Sequence, residues 1–196
     1  MWDKRYSAEE YMYGKQPNDF LRSVIDQIPK GRVLCLAEGE GRNSVFLAEQ
    51  GCDVLAVDSS SVGLTKAKKL ASERGVEITI EHADLADFDI TAEYWDAIVS
   101  IFCHVPPAIR AELHKKVVAG LKPGGVLVLE AYTPKQLAFG TGGPPVADLT
   151  MSLASLESEL NGLEFIHARE CERDVIEGLL HTGRGAVVQL LAIKPA

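Results

Sequence analysis

Val33-Leu34-Cys35-Leu36-Ala37-Glu38-Gly39-Glu40-Gly41-Arg42 is a short apolar run that breaks into a glycine-bearing turn and then enters a helix-like stretch. The apolar residues suit a buried β-strand, and Gly39 and Gly41 suit a backbone that must come close to a ligand. A second apolar run, Val54 to Val57, follows and ends in Asp58. This is the layout of a nucleotide-type cofactor laid across the first two strands of a doubly wound sheet, with a carboxylate facing the ribose hydroxyls. Asp58 is also a good N-cap, so the position has a purely structural use as well.

Outward from that stretch, helical and strand periodicities alternate. Asn18 or Asp19 can cap a helix with apolar positions Leu21, Val24, Ile25 and Ile28, ended by Pro29-Lys30-Gly31. The pattern predicts strand Val33–Leu36, helix Asn43–Gln50, strand Asp53–Val57 and a helix capped from Ser59-Ser60-Ser61 that runs through Arg74. Val76–Glu81 alternates like a strand near a sheet edge, and Trp95–Ile101 reads as a fourth strand. Pro106-Pro107 opens a helix that stops at Gly120-Leu121-Lys122-Pro123-Gly124-Gly125. The almost wholly apolar Val126–Ala131 then predicts a central strand covered on both faces. After a loop at Gly140–Pro145 and a helix at Leu153–Leu160, two strand-like runs, Glu164–Val175 and Ala186–Ile193, are joined too briefly for a parallel crossover. They predict an antiparallel hairpin.

The fold class expected is therefore α/β: one Rossmann-like, doubly wound, mostly parallel seven-stranded sheet with a C-terminal antiparallel hairpin. A single domain is expected over 1–196. It comprises an N-terminal lid or helix region at 1–30, a cofactor-binding core at 31–132, and a substrate-side loop, helix and hairpin at 133–196.

At 196 residues, 46% hydrophobic and 24% charged, the chain has the composition of a soluble globular domain. Its net charge of −8 argues against non-specific binding to nucleic acid or to an anionic membrane. No apolar stretch approaches the ~20 residues that span a bilayer, and the N-terminus lacks the apolar core of a secretory signal. Cys35, Cys52, Cys103 and Cys171 are scattered without paired metal-ligand spacing, so a reduced, cytoplasmic protein with no metal is expected.

Four stretches in this order carry a resemblance: the turn Leu36–Arg42, the acid Asp58, Ala83-Asp84-Leu85 after the third strand, and Leu121-Lys122-Pro123-Gly124-Gly125 before the fifth. Together the chain resembles the class I S-adenosylmethionine-dependent methyltransferases, and more narrowly the small bacterial ones related to tellurite-resistance methyltransferases. The resemblance covers residues 18 to 132 well and the final hairpin in outline. It implies S-adenosyl-L-methionine as cofactor, Asp84 against the adenine amino group, Ser59 and Leu85 flanking the adenine, and Ile101 beside the methionine end. Two positions depart from the family's acid-x-Gly-x-Gly-x-Gly turn: Cys35 stands where the first acid belongs and Ala37 where the first glycine belongs. Ala37 is tolerable there if its φ is negative. Glu38, inside the turn, can take over the missing charge toward the cofactor's ammonium, or it can be a solvated partner of Arg42. Arg42 can bind the cofactor's carboxylate or merely balance the turn, and Asp84 can be a simple loop aspartate.

Ser100-Ile101-Phe102-Cys103-His104 lies at the carboxyl end of the fourth strand, the edge where open α/β sheets bind ligands. His104 is the candidate catalytic base, with capping of the Pro106-Pro107 helix as its structural alternative. Cys103 beside it offers only two adjacent donors, short of a metal site. Tyr132, just past the fifth strand, is the candidate substrate contact or a buried tyrosine. His181 and Arg184 are further candidates near the last hairpin. Tyr6, Tyr11 and Tyr13 can form a lid or anchor the N-terminal segment, and Gly140–Gly143 a mobile rim.

The expectation is an enzyme that moves a methyl group from S-adenosyl-L-methionine to a small-molecule nucleophile by in-line displacement, mainly through positioning. Its rivals are a non-catalytic cofactor-binding protein of the same fold and an NAD(P)-dependent oxidoreductase, whose third fingerprint glycine would fall at Ser44.

Overall fold

The computed structural model describes residues 1–196. Seven strands, β1 (Arg32–Leu36), β2 (Asp53–Asp58), β3 (Thr79–His82), β4 (Trp95–Ile101), β5 (Leu121–Tyr132), β6 (Glu164–Glu177) and β7 (His181–Ile193), form one sheet in the order β3-β2-β1-β4-β5-β7-β6. The first five run parallel, whereas β7 pairs antiparallel with both β5 and β6. The expected architecture is the observed one. The order reverses between β1 and β4, so the crevice at the carboxyl ends of those strands is where the topology itself leaves room for a ligand.

Alternation along β1 explains how both faces are covered. Val33 and Cys35 join a core with Phe20, Leu21 and Val24 on one face, while Leu34 and Leu36 join Leu113, Val117 and Leu156 on the other. The first face is covered by α2 (Asp19–Ser23) and α3 (Arg42–Glu49), the second by α5 (Pro107–Gly120) and α6 (Leu153–Glu159). Each fully buried leucine in these layers contributes about 2 to 3 kcal/mol of transfer free energy. A short α1 (Trp2–Tyr6) lies against α4 (Ser61–Glu73), whose N-cap is Ser60 with its hydroxyl accepting from Gly63 N. No helix is long and apolar enough to cross a membrane.

Several boundaries differ from expectation, each for a local reason. The helix expected through Ile28 ends at Ser23 and continues as a 3-10 turn over Ile25–Gln27, because Val24 N already shares its hydrogen bond between Phe20 and Leu21 carbonyls. The consecutive β-branched Val24 and Ile25 then gain more from the core than from another helical turn. β3 starts at Thr79 rather than Val76, where its pairing with Leu55 begins. β5 starts five residues early: Trp95 pairs with Leu121 and Ala97 with Val126, so the Lys-Pro-Gly-Gly stretch bulges out of the ladder. The hairpin strands are longer than expected and are joined by residues 178–180 alone.

Candidate active site

The turn from β1 into α3 is held open by left-handed residues: φ is 50° at Ala37, 62° at Gly39 and 90° at Gly41. The negative φ on which Ala37 was expected to depend is not found. Ala37 carries a strain of about 1 to 2 kcal/mol that glycine would avoid. At Gly39 a side chain is forbidden also by contact, since a Cβ there would stand 2.6 Å from the Tyr6 hydroxyl. A Cβ on Gly41 would stand 2.6 Å from the α4 backbone at Ala67, so this glycine serves helix packing.

Asp58 closes β2 at 5% exposure. Its Oδ2 accepts Gly39 N at 2.8 Å and its Oδ1 accepts Ser60 N at 2.8 Å. One acceptor direction on each oxygen remains. Asp58 is thus not the N-cap of α4, a place taken by Ser60, and burial raises its pKa against these two hydrogen bonds.

Glu38 is buried, and its Oε1 accepts Asn43 N at 3.0 Å and Ser44 N at 2.6 Å. These are two of the N–H groups in the first turn of α3 that have no intrahelical acceptor. Burial, opposed by the bonds to Ser44 and by Arg42, pushes Glu38 up to about 7. It is not a solvated glutamate. Because its carboxylate occupies the α3 N-terminus, the anion cradle that a dinucleotide's diphosphate requires is already filled. A ligand with hydroxyls and positive charge suits the same surroundings.

Arg42, 7% exposed, pairs through Nη2 with Glu177 Oε2 at 2.6 Å, while its Nη1 is buried without a partner. Behind it lies an ionic knot. Glu130 takes Arg173, Asn18 Nδ2 at 2.8 Å and Gln189, and Arg173 also reaches Glu177 at 2.8 Å. Burial alone would raise Glu177, but Arg42 and Arg173 hold it below the usual carboxylate range.

The remaining expected cofactor residues sit apart in character. Ser59 is exposed and offers its carbonyl to His82. Asp84 is exposed, with Oδ1 accepting Ala86 N at 2.9 Å in a local turn. Leu85 and Ile101 belong to the hydrophobic cores on opposite faces of the sheet.

At the ends of β4 and β5 an aromatic cluster closes the edge. Phe102, itself left-handed at φ 53°, stacks on Tyr132 with centroids 4.6 Å apart. His104 also stacks on Tyr132 at 5.8 Å and lies 6.3 Å from Phe102, so the three rings form a triangle. His104 Nδ1–H donates to the Leu149 carbonyl at 2.8 Å and Nε2 accepts Tyr132 N at 3.3 Å. Both ring nitrogens are thereby engaged by backbone, and burial holds the imidazole down at about 4.

Residues that the sequence offered without roles complete the site. Met12 O accepts Leu179 N at 2.9 Å and Leu180 N at 3.3 Å, fastening the N-terminal segment to the β6–β7 turn. This lays Tyr13 on His181 with centroids 4.5 Å apart. Lys66 on α4 holds the same segment, donating to Ala8 O at 3.0 Å and Glu10 O at 2.7 Å while pairing with Glu40 at 2.5 Å. Lys66 and Glu177 gave no signal in sequence, since a lone lysine on an amphipathic helix and a glutamate in a strand read as solvent-facing. Gly142 packs on His181 and Gly143 on Tyr132, so the Gly-rich loop covers the cluster. Arg184 is exposed and its guanidinium makes only long contacts, 3.5 Å to Glu172 and 3.7 Å to Asp174, while its carbonyl accepts the Thr141 hydroxyl at 2.6 Å.

Residues 33–125 match the family model described as a methyltransferase domain. The curated relatives include the carboxy-S-adenosyl-L-methionine synthase of Geobacter metallireducens, 32% identical over 102 residues, which are 50% of this chain and 39% of that protein. The chain thus spans well under half the length of that relative. Among solved structures, one titled for the conversion of a disulfide bond into a thioacetal group during echinomycin biosynthesis superposes with a TM-score of 0.80 at 18% identity, covering 99% of this chain and 90% of the other. TehB from Haemophilus influenzae superposes with a TM-score of 0.71 at 20% identity, covering 98% and 65%. These likenesses carry the fold, and the domain match carries the motif order. Residues 33–125, just under half of this chain, are thus similar to a methyltransferase domain, and the whole chain shares the fold of these solved structures.

Proposed function

We propose that this protein transfers the methyl group of S-adenosyl-L-methionine to a small-molecule nucleophile. The observation that carries the reading is the Glu38 carboxylate seated on Asn43 N and Ser44 N, which fills the place of a diphosphate and surrounds the ligand with negative charge. The residues fit the group. Asp58 keeps one acceptor direction on each oxygen for ribose hydroxyls, Asp84 keeps an oxygen for the adenine amino group, Glu38 complements an ammonium, and Arg42 Nη1 is a buried donor for a carboxylate. When bound, S-adenosyl-L-methionine supplies a methyl carbon on a positively charged sulfur that is already a good leaving group.

The chain's own residues bind, orient and exclude water. Tyr6 and Tyr13 lie over the turn and the aromatic cluster, where a dry and pre-shaped space favours displacement by proximity. His104, with both nitrogens engaged, is in this reading a positioning residue that ties residue 149 to Tyr132, and Tyr132 is a wall of the acceptor site. The net charge of −8 supports a small acceptor over nucleic acid or membrane.

Separate calorimetric titrations with S-adenosyl-L-methionine, S-adenosyl-L-homocysteine, the carboxy derivative and NADH test the ligand. Mass spectrometry of extract incubated with methyl-labelled cofactor tests the transfer. Micromolar binding of S-adenosyl-L-methionine and a labelled product are expected. Binding of NADH alone overturns the reading, and tight cofactor binding with no labelled product favours the non-catalytic alternative.

A further inference from the structure

Of the five histidines, His82, His104 and His114 each engage a protein partner through a ring nitrogen. His167 and His181 hold a buried nitrogen without one. Of these two, His181 is the one at the carboxyl edge of the sheet, opposite Glu177 in the hairpin and 9% exposed. Three aromatic rings meet it edge-on: Tyr13 at 4.5 Å, Phe102 at 4.8 Å and Tyr132 at 5.3 Å between centroids. These come from the N-terminal segment, the end of β4 and the end of β5. The orphan atom is Nδ1. A buried nitrogen without a partner is destabilising, and a site that tolerates one gains when a ligand supplies the hydrogen.

We propose that His181 is a catalytic residue whose Nδ1 accepts the hydrogen of a neutral protic acceptor, a phenolic hydroxyl or aryl thiol, gripped by Tyr13, Phe102 and Tyr132. The inference rests on the methyl-transfer reading above. Flat aromatic walls select a planar apolar body, and a single acceptor nitrogen among them selects one protic group on its rim. The transfer balances: the acceptor's lone pair forms the bond to the methyl carbon, the carbon–sulfur pair leaves with sulfur, and the acceptor's proton passes to Nδ1. One positive charge moves from sulfur to imidazole. The geometry requires the Nε2–H tautomer. Burial first, and then Arg42, keep the imidazole neutral, with its pKa down at about 3. A weak base suffices here, because the acceptor's hydrogen becomes strongly acidic once its oxygen or sulfur has bonded to carbon.

The test uses the full-length wild type and His181→Gln, with 4-methoxyphenol, protonated at neutral pH, and 4-nitrothiophenol, ionised at neutral pH. Wild type is expected to methylate both. His181→Gln is expected to lose about a hundredfold in turnover of 4-methoxyphenol, keep that of 4-nitrothiophenol, and bind S-adenosyl-L-methionine as wild type does. In wild type loaded with S-adenosyl-L-homocysteine, adding 4-methoxyphenol is expected to shift the His181 ring ¹⁵N resonances, a readout independent of turnover and of the variant's folding. Equal losses on both acceptors, an unmoved His181 resonance, or no turnover of either acceptor by a wild type that binds the cofactor overturns the proposal. A protein that does not bind S-adenosyl-L-methionine at all fails the methyl-transfer reading first and takes this inference with it.

Discussion

The backbone N–H of Gly39 donates to Oδ2 of Asp58 over 2.8 Å, joining the turn after β1 to the end of β2. One carboxylate therefore sets the shape of the turn and presents its remaining acceptor directions to the crevice. Asp58→Ala is expected to weaken S-adenosyl-L-methionine binding by about ten- to a hundredfold through loss of charge-assisted hydrogen bonds to the ribose. Leaving two backbone N–H groups without partners is also expected to cost about 1 to 3 kcal/mol of stability. Calorimetry and urea unfolding check the two parts, and an unchanged dissociation constant in a folded variant rules out the ribose contact.

Glu38 makes cofactor affinity depend on pH. Its folded pKa of about 7 lies above the ordinary 4.5, so between those values the free folded protein holds a proton that the unfolded chain has released. Stability from this group is present below pH 4.5 and is lost as pH rises through 7. A cationic ligand favours the ionised carboxylate, so binding releases a proton and affinity is expected to rise by about tenfold from pH 5.5 to 8. Titration in two buffers of different ionisation enthalpy detects the proton. Glu38→Gln should flatten the profile, and a wild-type profile that is already flat contradicts the assignment.

His104 holds backbone to backbone, and its replacement should be felt in folding. His104→Ala removes the bond to Leu149 O and leaves Tyr132 N unpaired, a loss of about 1 to 3 kcal/mol. Its folded pKa of about 4 lies below the ordinary 6.5. The folded state thus binds fewer protons in that window, and this contribution fades as pH falls from 6.5 to 4. The variant should lose less stability than wild type across that range in pH-dependent unfolding. A pH–rate profile that loses its acidic limb in the variant would instead mark His104 as the base.

Glu130 anchors the ionic knot with no exposed surface. Glu130→Ala leaves Arg173 with Glu177 as its one close carboxylate, Asp19 standing 3.8 Å away, and strips Asn18 and Gln189 of an acceptor, which is expected to cost about 3 to 5 kcal/mol. For a chain of this size that is a melting temperature about 10 °C lower, read by a thermal scan. A drop of only a degree or two means that solvent reaches the knot.

The sequence was most legible where one residue type answers one local demand. The apolar run of β1, the two glycines after it and the acid closing β2 announce the strand–turn–helix layout because strand burial, left-handed turns and a buried carboxylate accepting backbone N–H groups each have a narrow chemistry. Ser60 was legible as a cap for the same reason. Ala37 was not, since alanine carries no mark of a left-handed backbone and the turn around it imposes one. Nor was the neighbourhood of His181, because Tyr13, Phe102 and Tyr132 reach it only once strand order brings three distant segments together. Glu38 was half legible: its charge was evident, but not the fact that the α3 N–H groups consume one of its oxygens.

The Met12 carbonyl receives both N–H groups of the far turn, at Leu179 and Leu180. If ligand enters beneath Tyr13, those two bonds part first, and uptake is expected to be timed by an internal clock and not by encounter. In stopped-flow mixing, the observed rate should climb with ligand concentration and then level off at the frequency of that unfastening. Loosening the clasp through Lys66→Met should lift the plateau while leaving the sheet beneath untouched.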